Sequence, residues 1–144
     1  MNCLGILCYS NQHRCDGRIK SNQTISGNKE NGIHCTGLKN FTKIESNNFI
    51  CYNKKAGIKA DSDAHIVVVK NKISKNLGQG VLLVETSSGI IERNEITDNI
   101  KANIALGGTN SVNTFIVENI ISGGRCEGIF VIECGECWIQ RNTI

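Results

Sequence analysis

The sequence predicts an all-β fold: a right-handed parallel β-helix of about six coils, with three short strands in each coil. Three observations predict it. Aliphatic residues recur in columns at steps of 23–27 residues, an asparagine recurs with the same period, and the composition favours strands around a core of small side chains. The 144 residues include no proline and 15 glycines, and only 5% are aromatic, so β-branched and small side chains must fill the core.

Three aliphatic columns run through the whole chain, and each predicts one strand per coil. Alternate residues of a strand point to the same side, so the members of a column are expected to stack in the core. The first column is Ile6, Ile33, Ile58, Val81, Ile104 and Ile129. The second is Ile19, Ile44, Val68, Ile91, Ile116 and Ile139. The third is Ile25, Ile50, Ile73, Ile96, Ile121 and Ile144.

The first strand of each coil carries a second inward residue two positions after the column residue. The residues between the two inward positions are expected to face solvent. The second inward residues are Cys8, Cys35, Ala60, Leu83, Leu106 and Val131, and the outward ones include His34, Lys59, Ala105 and Phe130.

A column of asparagines is predicted to form a structural ladder, because each member lies three residues after a second-column aliphatic. Where the chain turns between strands, buried backbone groups need partners, and an amide side chain supplies both donors and an acceptor. Removing one amide would leave buried groups unpaired, at about 1–3 kcal/mol. The predicted ladder is Asn22, Asn47, Asn71, Asn94, Asn119 and Asn142.

A leucine-rich repeat has a similar period and its own asparagine, but it requires L-x-x-L-x-L spacing, and leucine is sparse here.

The chain stops at Ile144, inside a third-column strand, and neither end has the polar cap that solenoids need. We therefore expect residues 1–144 to form a single β-helix domain that is a fragment of a longer solenoid. End-to-end self-association through uncapped coils is the alternative.

Charge and hydropathy exclude several classes of function. The net charge of +3 is too small for a nucleic-acid-binding protein, and no apolar run approaches the length of a membrane span. The short apolar segment Leu4 to Cys8 has no basic region before it, which argues against a signal peptide. Because cysteines fall on inward positions, the eight thiols are expected to be reduced, in a cytoplasmic or nuclear protein.

Turns of variable length between the first and second strands predict a contact rim, since solenoids place their contacts on such loops. The longest are Ser10 to Asp16 and Gly107 to Asn113, and a polar turn around Asp61 and His65 adjoins them. The candidate rim residues are Asn11, His13, Arg14, Asp61, Asp63, His65, Thr109 and Asn110.

The segment from Ala56 to Asn99 carries the most specific motifs. One coil contains Ser62-Asp63-Ala64, and the next contains G-I-I-E-R-N from Gly89 to Asn94. These coils resemble the carbohydrate-binding and sugar-hydrolase repeats of the F-box only protein 11 family, in which proline stands at the position of Ala64. The resemblance implies a substrate-recognition module of a Skp1–cullin–F-box ubiquitin ligase. The 144 residues contain neither a three-helix F-box segment nor the UBR-type zinc finger of that family.

Catalytic and metal sites are not expected. Arg18-Ile19-Lys20 resembles the R-I-K element of polygalacturonases, but the N-T-D, D-D and G-H-G motifs of those enzymes are absent. Asp61 and Asp63 are too few carboxylates for a calcium site. Cys134 and Cys137 form a C-x-x-C pair, whereas zinc needs two further ligands, so core thiols are expected there.

The sequence thus favours a non-catalytic scaffold with a protein ligand, without cofactor, metal or nucleic acid. The alternative is a carbohydrate-binding or carbohydrate-active β-helix. Exposed aromatic side chains and a carboxylate cluster would favour the alternative.

Overall fold

The computed structural model describes residues 2–108 and 113–144, which form 17 strands and no helix. Sheet 1 contains β1 (Ile6–Tyr9), β4 (Ile33–Thr36), β7 (Ile58–Asp61), β10 (Val81–Val84), β13 (Ile104–Gly107) and β16 (Ile129–Ile132). Sheet 2 contains β2 (Arg18–Lys20), β5 (Phe41–Glu45), β8 (His65–Val69), β11 (Ser88–Glu92), β14 (Thr114–Val117) and β17 (Cys137–Gln140). Sheet 3 contains β3 (Thr24–Ser26), β6 (Phe49–Cys51), β9 (Lys72–Ser74), β12 (Glu95–Thr97) and β15 (Ile120–Ser122).

The chain visits the three sheets in turn, and every strand pairs in parallel with its equivalents in neighbouring coils. Five coils contribute a strand to all three sheets. The sixth contributes β16, β17 and an isolated bridge between Ile120 and Thr143. The predicted all-β solenoid with three strands per coil is therefore confirmed.

The strand register matches the three aliphatic columns. In sheet 1, Ile33 pairs with Ile58, and Ile58 pairs with Val81. In sheet 2, Ile44 pairs with Val68, and sheet 3 likewise pairs Ile50 with Ile73. Because every step joins equivalent residues, the column side chains stack along the axis in one continuous core.

The core is aliphatic, as the composition predicts. Its largest fully buried side chains are isoleucines and leucines. All seven aromatic residues lie on the surface instead: Tyr9, Phe41, Phe49, Tyr52, Phe115, Phe130 and Trp138. A coil of three short strands encloses a narrow interior, which suits branched aliphatic side chains better than rings.

Two residues of sheet 1 differ in exposure from what the inward–outward alternation predicts. Ala105 was expected to face solvent, but it is 95% buried, since Ala105 lies in register between the larger Leu82 and Phe130. Val131 is in register with the buried Leu106 and so points inward as expected, but it is 39% exposed in the last coil.

The asparagine ladder exists, but its first two members are wrong. Asn48 is fully buried, and its Nδ2 donates to Asn71 Oδ1 at 2.9 Å and to Ile19 O at 3.2 Å. Asn47 and Asn22 are exposed, with φ of 61° and 59°. The extra residue in these two turns moves each predicted asparagine out of the core.

From Asn71 onwards the ladder is as predicted. Asn71 donates to Asn94, Asn94 to Asn119, and Asn119 to Asn142, at 3.2, 3.0 and 2.9 Å. Each Nδ2 group also donates to a strand carbonyl of the coil before it, as Asn94 does to Val68 O at 2.8 Å. In the first coil, Gln23 holds the equivalent position, and its backbone N–H donates to Asn48 Oδ1.

A second asparagine ladder, not predicted, lies where sheet 3 turns towards sheet 1. Asn28 donates to Asn53, Asn53 to Asn76, and Asn76 to Asn99, at 2.8–2.9 Å between side-chain amides. All four side chains are buried. Each lies three residues after a third-column isoleucine, so the same spacing rule that predicts the first ladder also finds this one.

Glycine precedes most first-column residues because the second ladder occupies the space beside it. A Cβ on Gly57 would lie 2.8 Å from Asn76 Nδ2 and 2.8 Å from Gly80 O. Both contacts are closer than real Cβ atoms tolerate, so only glycine fits.

None of the described residues forms a helix that is long and apolar enough to cross a membrane.

Candidate functional site

The outer face of sheet 2 carries a continuous ladder of side chains that changes from basic to apolar. Its members are Arg18, Lys43, Val67, Ile90, Phe115 and Trp138, which pair in register from coil to coil. We call this set the sheet 2 ladder. Five steps of parallel pairing make it about 24 Å long.

The apolar end of the sheet 2 ladder is open to solvent. Phe115 is 37% exposed and Trp138 is 48% exposed, and their rings stack nearly parallel with centroids 6.4 Å apart. Val67 and Ile90 are partly exposed beside them. Aromatic side chains in a contiguous apolar strip are typical of protein interfaces.

The basic end of the ladder opens into a groove of about 420 Å³ at the turn between sheets 1 and 2. Arg14 lies over the ring of Phe41, 4.8 Å from its centroid, and is also bound to Asp16. Phe41 in turn contacts His65, with 6.1 Å between ring centroids. The groove therefore joins two predicted rim residues, Arg14 and His65, through a phenylalanine.

Charge in this groove is mostly positive. Arg14 is offset by Asp16, and Lys43 by Glu45 at 2.9 Å, while Arg18 makes no ion pair within the described residues. Burial lowers the pKa of His65, and its Nδ1 lies 2.9 Å from Ser88 Oγ, so the ring is neutral at pH 7. The sheet 2 ladder can therefore bind a ligand that has an acidic group at one end and apolar side chains at the other.

Not all rim residues share this groove. Asp61 is the last residue of β7 and lies on the sheet 1 side of the turn between sheets 1 and 2. Its Oδ2 lies 2.7 Å from Lys59 Nζ and 2.9 Å from His34 Nε2. Burial raises the pKa of Asp61, but hydrogen bonds from Lys59, Thr36 and His34 outweigh it and hold the pKa at about 2. Asp61 is thus a structural carboxylate on sheet 1.

The remaining rim residues have separate positions. Asn11 and His13 are exposed in the turn that holds Arg14, and Asp63 is exposed at a φ of 66°. Thr109 and Asn110 lie outside the described residues. The rim is therefore a corner of the solenoid with two faces rather than one site.

A column of charged residues of both signs lies at the turn after sheet 2. Glu118 binds Arg93 and Arg141, with Nε–Oε distances of 2.7 and 2.9 Å. These interactions lower the pKa of Glu118 and raise that of Arg93. The Glu118 carboxylate thus offsets part of the positive charge of the two arginines.

The cysteines are all present as thiols. Cys8 and Cys35 pair in register on β1 and β4 and are hydrogen-bonded to each other. Cys134 and Cys137 also interact, and the pKa of Cys137 is raised, mainly by burial. Within the part of the chain that the structure describes, no three His, Cys, Asp or Glu side chains are grouped to hold a metal ion.

Sequence reasoning missed most of the sheet 2 ladder. Its members each lie immediately before a second-column aliphatic, so the alternation of β5, β8, β11, β14 and β17 would have placed them outward in one row. Phe41 was missed for another reason. Its contact with Arg14 depends on the course of the long first turn, which spacing does not determine.

Comparison with known families agrees with the strand register. A family model described as the right handed beta helix region matches residues 2–144. Searches of curated proteins and of solved structures found no significant match. The matched segment spans nearly the whole chain, and its parallel strands stack coil on coil as that description requires. The chain therefore belongs to the right-handed β-helix region family.

Proposed function

We propose that this β-helix is a non-catalytic protein-recognition scaffold whose ligand lies along the sheet 2 ladder. The observation that carries the proposal is the change along the ladder, from Arg18 and Lys43 to Phe115 and Trp138. Buried aromatic and arginine side chains supply most of the affinity in protein interfaces. The surface fits a segment with acidic residues at one end and apolar residues at the other.

The role corresponds to that of the substrate-binding β-helix of an F-box ubiquitin-ligase receptor. In that setting the sheet 2 ladder contacts the substrate. A pull-down of Skp1 with this chain is expected to be negative, because the described residues form no three-helix segment. Capture of Skp1 would show that the β-helix itself carries a docking surface.

Carbohydrate binding is the competing function, and the seven exposed aromatic residues favour it more than the composition suggested. The described carboxylates do not support glycoside hydrolysis, however. Asp61, the most buried of them, is engaged by Lys59 and His34 and is not available to protonate a leaving group.

The single tryptophan, Trp138, gives a direct readout of ligand binding at the ladder. We would titrate the protein with a 16-residue amphipathic peptide, acidic at one end and rich in leucine and phenylalanine at the other. A blue shift of Trp138 emission is expected with this peptide, but not with a scrambled peptide of the same composition or with oligogalacturonate.

Two variants make the test specific. Phe115→Ala removes one ring of the stack and is expected to weaken peptide binding at least tenfold. Phe49→Ala is the matched control, because Phe49 is 44% exposed but lies on sheet 3. Equal loss in the two variants, or a response to oligogalacturonate alone, would contradict protein recognition at this face.

A further inference from the structure

A second groove, larger than the one beside Arg14, lies on the other side of the molecule from the sheet 2 ladder. It runs between the outer face of sheet 1 and the turns that lead from sheet 3 into sheet 1, and it encloses about 570 Å³. Pockets that hold small molecules have volumes in this range. We call it the lysine groove, after the four lysines that line it: Lys54, Lys55, Lys59 and Lys101.

Positive charge in the lysine groove is only partly neutralised. Lys55 is paired with Glu30, the one acidic residue among those lining the groove, and Lys59 is paired with Asp61. Lys54 and Lys101 are exposed and make no ion pair within the described residues. Two ammonium groups are therefore available to a ligand.

The spacing of the lysines follows from the coil geometry. Lys55, Gly78 and Lys101 hold equivalent positions in three consecutive coils, since Gly78 N–H donates to Lys55 O at 3.0 Å and Lys101 N–H to Gly78 O at 3.1 Å. Gly78 has no side chain, so a gap lies between the two lysines, whose backbones are two coils or about 10 Å apart.

Leucine side chains give the lysine groove an apolar part. Leu77 is more than half exposed and holds the position that Lys54 has one coil earlier, while Leu82 forms part of the sheet 1 face. A ligand that fills this groove therefore meets cationic groups on its flanks and leucine side chains between them.

We propose that the lysine groove binds a small organic polyanion, in which at least two phosphate or carboxylate groups are attached to an apolar body. A lysine ammonium acts as a point charge with freely rotating donors and binds either type of oxyanion. The ligand is distinct from the one at the sheet 2 ladder, and the two sites can be tested independently.

Calorimetric titration with two probes distinguishes the two anionic groups: adenosine triphosphate for phosphate, and benzene-1,3,5-tricarboxylate for carboxylate. At least one probe is expected to bind with a stoichiometry of one. Raising the ionic strength is expected to weaken binding, because the contacts are charged and exposed. Failure of both probes to bind the wild-type protein would overturn the proposal, as would tighter binding of a hexaglutamate peptide.

A double variant, Lys54→Gln with Lys101→Gln, tests the location. It is expected to lower the affinity for the bound probe at least tenfold without changing the thermal unfolding curve, because both side chains are exposed. Lys39→Gln is the control, since Lys39 is exposed at the corner between sheets 1 and 2. An equal loss in the control would overturn the assignment.

Amide chemical-shift mapping on the wild-type protein checks the same site without substitution. Shifts are expected at Gly78 and Leu82 when the probe is added. Shifts confined to sheet 2 would place the anion at the Arg14 groove and overturn the proposal.

Discussion

Asn99 and Asn103 are hydrogen-bonded within a single coil, with Asn99 Nδ2 donating to Asn103 Oδ1 at 2.8 Å. The other links of the second asparagine ladder join one coil to the next. Asn103 occupies the place of the glycine that precedes most first-column residues, and Gly124 stands where the next ladder asparagine is expected. Asn103 Nδ2 donates onward to Ser122 O and Gly123 O, both at 3.2 Å. The Asn103 amide therefore takes the place of the ladder amide that is missing at Gly124.

Because Asn103 replaces a ladder amide, we predict that it contributes as much to the stability of the fold as a regular ladder asparagine. Asn103→Ala is expected to lower the free energy of unfolding by about 1–3 kcal/mol, because the buried Nδ2 and backbone N–H of Asn99 both donate to Asn103 Oδ1 and would lose that acceptor. Chemical denaturation of the two proteins measures the loss. Asn11→Ala, an exposed substitution in the first turn, is the control. A loss no larger than that of the control would show that water replaces the amide.

The corrected first ladder predicts that two adjacent asparagines have very different roles. Asn48→Ala is expected to cost about 1–3 kcal/mol of unfolding free energy, since its amide is buried between Ile19 O and Asn71. Asn47→Gly is the matched control, because Asn47 is exposed and glycine tolerates its positive φ. Thermal melting compares the two variants, and a larger loss for Asn47→Gly would contradict the ladder described here.

The interaction of Asp61 with Lys59 and His34 predicts a pH-dependent contribution to stability. The pKa is lowered from 3.8 to about 2, so the ionised carboxylate stabilises the fold at pH values above its unfolded pKa. Asp61→Asn is therefore expected to lose up to about 2 kcal/mol at neutral pH. The difference from wild type should shrink as the pH falls from about 4 to about 2, because the wild-type carboxylate becomes protonated.

Denaturant unfolding across this pH range measures the effect of Asp61→Asn. The exposed Asp63→Asn is the control, for which a change within about 0.5 kcal/mol is expected. A difference between Asp61→Asn and wild type that stays constant down to pH 2 would contradict the role of the ionised carboxylate.

The paired thiols of Cys8 and Cys35 predict selective reactivity. The Cys35 thiol hydrogen-bonds to Cys8 and lowers its pKa, whereas burial raises the pKa of Cys51. Since the thiolate is the reactive form, iodoacetamide at neutral pH should modify Cys8 faster than Cys51, as followed by peptide mass spectrometry.

Cys35→Ala is expected to slow the modification of Cys8, because the hydrogen bond that lowers the pKa of Cys8 is lost. The substitution fits the core, since Ala60 occupies the equivalent position one coil later. Unchanged modification of Cys8 in this variant would show that Cys35 does not control its pKa.

Several features follow from residue spacing alone. The columns through Ile33, Ile44 and Ile50 determine the number of coils, the three sheets and the register, because only parallel stacking buries each column continuously. The spacing that places Asn71 to Asn142 in one ladder also places Asn28 to Asn99 in the other. In both ladders, a fixed distance from a buried isoleucine determines which amide faces the turn.

Other features depended on the tertiary structure. The spacing rule gave Asn47, but one extra turn residue moved the buried position to Asn48, since the local backbone decides which of two neighbouring amides points inward. The contact of Arg14 with Phe41, the two faces that separate Asp61 from His65, and the lysine groove all depend on how turns of different coils lie beside one another. Periodicity determines what stacks within a column, whereas contacts between columns and across turns depend on backbone paths that no single repeat encodes.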